Sequence, residues 1–295
     1  MYVIVGANGF LGSYLRMAVK EMTEERILAL ATRIDSVKED DRTEWMACDV
    51  TNPDDVERVK KRLEKETEEH KILYLAAYHN PDLVEKNPRH AWNVNITALS
   101  IFLNTIDHVR CFFYPSTDSV YGDGGDARHF GEWDRLSPVN RYGHHKVAAE
   151  CMVYSYGYNV VRLPFLIGPS LLAHKKHFYD EIAETIGQGK EMKMFADSKR
   201  SSLDFGTAAR LIVRLAENYR EDMPEIINVS GDEDLSKYDV GRLIAKRTGA
   251  DERLITPITS EQTEGIFEAK RAKSTLMDNS LLKQYLGLDT VQIEI

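Results

Sequence analysis

Two residues on one short stretch of the chain can move a proton. Tyr142-Gly143-His144-His145-Lys146 sets a phenol and an ammonium four residues apart, and a helix brings such a pair to one face, one turn apart. A phenol is a poor acid or base at neutral pH because its pKa lies at about 10. A neighbouring cation favours the phenolate and draws that value toward the operating range, so Tyr142 can give a proton to a substrate oxygen or take one from it. Upstream, Pro115-Ser116-Thr117-Asp118-Ser119-Val120-Tyr121-Gly122 follows the apolar run Cys111 to Tyr114. Hydroxyls at the carboxyl end of such a strand can donate to a carbonyl in a cleft, and the same residues also suit a plain Ser/Thr turn.

A phosphate cradle precedes both. After the apolar strand Tyr2-Val3-Ile4-Val5 the chain reads Gly6-Ala7-Asn8-Gly9-Phe10-Leu11-Gly12 and enters a helical stretch from Ser13 to Lys20. The spacing suits a tight turn at Gly6, backbone approach to a pyrophosphate at Gly9, and close packing of helix on sheet at Gly12, with the helix N-terminus offering N–H groups to an anion. Further strands are expected at 26–31, at 72–77 as the third, at 111–114 and at 159–163. Helices are expected after Asn52-Pro53, over 89–108 and over 141–156. Apolar strands without period-two alternation, separated by helices, mean a parallel sheet covered on both faces. The expected fold is therefore a Rossmann-type doubly wound sheet over 1–165, joined by a returning helix near 206–218. Residues 166–295 mainly supply a smaller α/β cap over the strand ends.

The 295 residues carry a formal net charge of −9, which argues against a nucleic-acid partner. Lys175-Lys176, Lys199-Arg200 and Lys270-Arg271-Lys273 remain as local basic clusters able to meet phosphates. No apolar run approaches the length of a membrane span, and a strand starting at Tyr2 leaves no room for a signal peptide, so the expectation is a cytoplasmic protein without a membrane partner. Cys48, Cys111 and Cys151 are widely spaced and read as reduced thiols; no metal site is expected.

Together the three motifs resemble the extended short-chain dehydrogenase/reductase family in its sugar-nucleotide branch, over nearly the whole chain. The family's glycine loop falls on Gly6, Gly9 and Gly12, with Asn8, Phe10 and Leu11 between them; its Ser/Thr falls on Thr117 and its Tyr and Lys on Tyr142 and Lys146. Asp49-Val50 match residues at the adenine, Leu75-Ala76-Ala77 residues below the cofactor, and Asn95 and Leu163 further cofactor-side positions. Ile227-Asn228-Val229 and the segment Arg271 to Asn279 are similar to the cap of the dTDP-4-dehydrorhamnose reductase subfamily. The resemblance implies hydride transfer between a nicotinamide and a sugar carbon. Tyr142 is then the acid-base group, Lys146 lowers its pKa and holds the ribose, and Thr117 orients the reacting oxygen.

Three positions refine this reading. Where an acidic residue would bond a ribose 2′-hydroxyl, the chain has Ala31-Thr32-Arg33; Thr32 and Arg33 suit a 2′-phosphate, so NADP(H) is expected ahead of NAD(H), with Asp35 as an alternative hydroxyl partner. Asp118-Ser119 stands where related 4,6-dehydratases carry Asp-Glu, which demotes dehydration and promotes reduction of a nucleotide-linked 4-keto-6-deoxy sugar. His79 lies in the loop after the third expected strand, near the substrate; a lone loop histidine is more often structural, as are His144 and His145. Arg200, Arg271 and Lys273 are candidates for the diphosphate of a nucleotide-sugar substrate. The alternatives are an NAD-dependent nucleotide-sugar epimerase and a noncatalytic regulator, since the regulatory subunit of methionine adenosyltransferase shares this pattern. The resemblance also implies a homodimer through the helices near 89–108 and 141–156, with Trp92, Phe102 and Tyr154 suited to that surface.

Overall fold

The computed structural model describes residues 1–34, 40–125, 128–173, 175–260 and 267–294. Seven strands form the central sheet: β1 Tyr2–Val5, β2 Ile27–Ala31, β3 Thr43–Ala47, β4 His70–Tyr74, β5 Val109–Thr117, β6 Asn159–Leu163 and β7 Ile226–Asn228. Their order is β7-β6-β5-β4-β1-β2-β3 and every neighbouring pair is parallel. This is a Rossmann-type doubly wound sheet, and the strand order reverses between β1 and β4, the place where such sheets open a crevice at their carboxyl edge. Every residue of β1, β2 and β6 is buried, because helices cover both faces. The sequence expectation lacked β3. That edge strand reads Thr-Glu-Trp-Met-Ala and leaves Glu44 exposed, so it shows no continuous apolar run, and the strand expected as third is the fourth.

On one face, helix α1 (Phe10–Met22) packs Leu15, Ala18 and Val19 into the same core as Ala208, Leu211 and Ile212 of α6 (Phe205–Glu217). The opposite face is covered by α2 (Pro53–Leu63), α3 (Ala98–Thr105) and α4 (Arg141–Ser155). Helix α2 buries the stripe Val56, Val59 and Leu63. Asn52 caps it, its side chain accepting from the Asp54 N–H at 3.0 Å with Pro53 at the first turn, and losing such a cap costs about 1 kcal/mol. The long helix expected over 89–108 is broken into Pro88–Trp92, a π turn at Asn93–Thr97, and α3. Phe102, expected at a partner surface, is instead fully buried against Tyr74 and Phe112, whereas Trp92 and Tyr154 are each 50% exposed.

Beyond β6 the chain builds a smaller unit around α5 (Phe178–Gly187) and α7 (Lys237–Thr248), whose Ile182, Ile186, Val240 and Ile244 share a separate core. Short strand pairs tie it together: Met192–Phe195 with Ile255–Ile258, and Lys199–Ser201 with Asp234–Ser236. Between these segments the chain returns to the sheet through α6 and β7, and it ends on α8 (Ser280–Leu286) beside β7. No helix among the described residues is long and apolar enough to cross a membrane.

Candidate active site

The first βα turn needs glycine at two of its positions. Gly6 takes φ +87°, and a Cβ at Gly12 would lie 2.5 Å from the Gly6 carbonyl oxygen and 2.9 Å from the Ala7 Cα. The crossing of turn and helix therefore requires glycine at both places. Gly9 forms the N-cap of α1 and contributes no side-chain cap bond, so the first N–H groups of that helix stay available to an anion. Asn8 steadies the loop from outside, its amide donating to the Arg33 carbonyl at 3.2 Å.

Across the crevice, the helical spacing does what the sequence promised for geometry but not for acidity. Gly143 lets α4 start hard against the loop after β5: a Cβ there would lie 2.8 Å from the Ser119 carbonyl oxygen and 2.6 Å from Pro138 Cβ. Tyr142 is thereby brought to Thr117, with which its phenol shares a hydrogen bond. Burial pushes the phenol well above its ordinary pKa and the nearby Asp118 carboxylate adds to this, while the Thr117 bond opposes it. The expected lowering by Lys146 is thus overturned. Lys146 is 4% exposed, donates to the Pro115 carbonyl at 2.7 Å, and lies 4.4 Å from the Tyr114 ring centre but 6.0 Å from that of Tyr142. Burial pulls Lys146 itself down to about 7, with Glu150 working against the drop.

Asp118 ties this wall to the cap. One carboxylate oxygen accepts from the Thr117 hydroxyl at 3.0 Å and the Ser119 hydroxyl at 3.3 Å. The other takes the Thr275 hydroxyl and the Arg200 guanidinium, the latter at 3.1 Å. Arg200 further donates to the carbonyls of Lys199, Ala272 and Lys273, so its donors are largely spent on holding the cap strands. Arg271 pairs with Asp82 at 2.8 Å.

A cleft of about 520 Å³ runs between these walls. It gathers Gly6, Gly9, Phe10, Leu11, Gly12, Leu75, Ala77, His79, Thr117, Asp118, Ser119, Tyr142, Lys146, Leu163, Arg200 and Arg271 from the sequence expectation. The other expected residues lie outside its lining. Thr32 and Arg33 are exposed at the end of β2, Asp49 is exposed after β3, and Val50 is buried in the core. Asp35 lies outside the described residues. Asn95 is 3% exposed and clasps the backbone of Tyr78 from both sides, at 2.7 and 3.1 Å, so it shapes the loop that carries Ala76 and Ala77. It sits in the π turn, a distortion frequent at functional sites. His145 is buried against Trp92 and Asn95, and His144 is exposed. Lys273 is exposed outside the lining, its backbone N–H donating to Asp123 at 3.0 Å. All three cysteines are free, and no metal-binding cluster occurs among the described residues.

The sequence reading missed His177 and Lys237. His177 caps α5 in a box with Asp180 and stands edge-on to Phe10 and Phe205, each 4.9 Å away; burial pulls its pKa down to about 4. Lys237 opens α7 beside Phe178 and Phe165, at 5.2 and 5.9 Å, with no carboxylate partner among the described residues. Its pKa is lowered by burial, then by Arg200 and Arg271. The signal for both was a capping box, His-x-x-Asp at 177 and Ser-x-x-Asp at 236.

A glycine turn at the first strand, a Tyr and Lys on a helix at the strand ends, and a cap over both define a Rossmann-type protein of the extended short-chain dehydrogenase/reductase architecture. Within it, the chain belongs to the RmlD substrate binding domain family, whose model matches residues 1–294. It is 26% identical over 299 residues to the "Probable low-salt glycan biosynthesis reductase Agl14" of Haloferax volcanii, covering 100% of this chain and 95% of that one. It is also 26% identical over 291 residues to methionine adenosyltransferase 2 subunit beta of Danio rerio, covering 97% and 84%. Among solved structures, dTDP-4-dehydrorhamnose reductase from Bacillus anthracis in complex with NADP superposes with a TM-score of 0.79 at 21% identity, over 98% of this chain and 94% of that one.

Proposed function

We propose that this protein is an NADP(H)-dependent reductase of a nucleotide-linked 4-keto-6-deoxy sugar. The observation that carries the reading is one cleft with a phenol held neutral at one wall, a side-chain-free glycine turn at another and cations on the third. The glycine turn and the open N–H groups of α1 fit a dinucleotide pyrophosphate, and Leu75, Ala77 and Leu163 give the nicotinamide side an apolar floor. A bound nicotinamide supplies the hydride. Tyr142 is protonated at neutral pH and so holds the proton that a new alkoxide needs in the direction of reduction. Thr117 bonds that phenol and orients the carbonyl oxygen, while Lys146 supports the developing charge and the ribose. Thr32 and Arg33, exposed at the end of β2, favour a 2′-phosphate. Among the basic groups of the cap, Arg200, Arg271 and Lys237 face the cleft and suit the diphosphate of a nucleotide sugar.

The likeness to methionine adenosyltransferase 2 subunit beta favours a second reading, a partner-binding subunit of this fold. One experiment separates the two: NADPH and NADH absorbance is followed with a panel of nucleoside-diphosphate 4-keto sugars, for the natural chain and Tyr142→Phe. Sugar-dependent oxidation that prefers NADPH and falls about 1000-fold in Tyr142→Phe is expected. Cofactor binding without oxidation by any sugar would sink the reductase and leave the partner-binding subunit.

A further inference from the structure

The fold splits the basic pair Lys175-Lys176. Lys176 pairs with Glu184 at 2.5 Å in solvent. Lys175 lines the cleft, its ammonium 4.6 Å from the centre of the Phe10 ring and without a carboxylate partner among the described residues. The loop that carries it is fastened at both ends. Where the loop begins, Tyr14 of α1 donates to the Pro169 carbonyl at 2.7 Å. Where it ends, His177 stands edge-on to Phe10, which lies four residues before Tyr14 on the same face of α1. Asp180 ties the two ends together, its carboxylate accepting from the Ser170 N–H at 3.1 Å and the His177 N–H at 2.7 Å. A lysine on a loop held in this way is presented to one spot.

That spot is already positive. Phe10 is the first residue of α1, and the open N–H groups there form the positive end of the helix dipole. An ammonium beside them, resting on an aromatic face, is repelled by its surroundings until an anion lies between. We propose that Lys175 is a cofactor-binding residue that holds the pyrophosphate of the dinucleotide from the cap side, while the glycine turn holds it from the sheet side. The inference rests on the nicotinamide-dinucleotide part of the reading above and adds a cation that the glycine turn does not supply. The cofactor's pyrophosphate is favoured over the substrate's diphosphate because Phe10 belongs to the glycine turn, whereas Arg200, Arg271 and Lys237 gather on the cap wall.

Calorimetry on the full chain tests this with NADPH, NADH and ADP-ribose, which all carry an adenosine pyrophosphate, and with dTDP, a nucleoside diphosphate. In Lys175→Met the first three should each bind about tenfold more weakly, as expected for one lost charge-assisted contact, and dTDP should bind as before. Lys175→Arg keeps the charge and should restore most of the affinity. Lys176→Met removes the same charge one residue away and should leave all four ligands unaffected. Unchanged affinity in Lys175→Met overturns the proposal. So does a loss as large for dTDP, which would assign the cation to the substrate, or a loss confined to NADPH, which would assign it to the 2′-phosphate. An equal loss in Lys176→Met would assign the effect to bulk charge and overturn it too. A natural chain that binds none of the adenosine pyrophosphates overturns the proposal together with the cofactor reading. Binding without oxidation by any sugar sinks the reductase alone and leaves the assignment of Lys175 standing.

Discussion

Two walls of the cleft, the sheet wall that carries Tyr142 and the cap wall that carries the cations, are built on opposite terms. On the sheet wall, Thr117, Tyr142 and Lys146 are held by one strand and one helix, at spacings set along the chain, and each side chain has a protein partner. On the cap wall, Arg200, Lys237 and Arg271 come from three separated segments; two are paired with Asp118 and Asp82, and Lys237 has no carboxylate partner among the described residues. The three functional side chains of the sheet wall have protein partners and stand on backbone that belongs to the core, while the hydroxyl of Ser116 beside Thr117 is buried without one. The cap wall concentrates like charge in a chain of net charge −9, an arrangement that disfavours folding locally and favours an anion.

Among changes that compare the two walls, cutting the link between them should have the largest effect on catalysis. Asp118→Asn removes the charge that holds Arg200 and orients Thr117, and losing such charge-assisted bonds corresponds to about a 10- to 100-fold fall in kcat. The carboxylate also raises the Tyr142 pKa, so its removal lowers that pKa. The phenol then deprotonates at lower pH, and the alkaline fall in reductase activity should begin earlier. A pH profile of kcat with the same alkaline limb as the natural chain would show that the walls act independently.

Lys237→Met tests the cap wall alone. The ammonium is desolvated, flanked by Arg200 and Arg271, and set at the positive end of α7. Removing it should raise Tm by about 2 °C while weakening the affinity for a nucleoside diphosphate about tenfold in calorimetry. A fall in Tm would mean that Lys237 is structural.

At the joint the expected change is in stability rather than in ligand binding or catalysis: His177 caps α5 and packs on Phe10 of the glycine loop. Its pKa in the folded chain is about 4, below the ordinary value of about 6.5. The unfolded chain binds the proton more readily, so stability is full above that ordinary value and is lost as pH falls from it toward 4, by at most about 3 kcal/mol. His177→Asn keeps a capping side chain and should flatten this slope in urea titrations at pH 7 and pH 4.5. An unchanged slope would assign the acid sensitivity elsewhere.

The sheet wall was legible residue by residue, because turn, strand and helix motifs impose their spacing locally. Gly12 could be read as essential from its place between strand and helix, and the structure shows the collision that makes it so. Tyr142 and Lys146 were legible as a pair, but their acidity was not, because burial outweighs proximity and depends on neighbours far along the chain. β3 escaped because an edge strand needs no continuous apolar run. Phe102 was misplaced because an amphipathic pattern does not say which side of a helix meets the sheet. Lys237 and His177 escaped because their helices belong to the discontinuous cap.

By itself, then, the amino-acid sequence determined the winding of the parallel sheet, the glycine turn and the helical stripe, since each follows from backbone sterics and short-range periodicity. The tertiary structure alone decided that burial raises the Tyr142 pKa, that Glu150 meets Arg162, and that Arg200 is spent on Asp118 while Lys237 has no carboxylate partner among the described residues. Those outcomes are set by desolvation and by contacts between distant segments, and neither is encoded in the spacing of neighbouring residues.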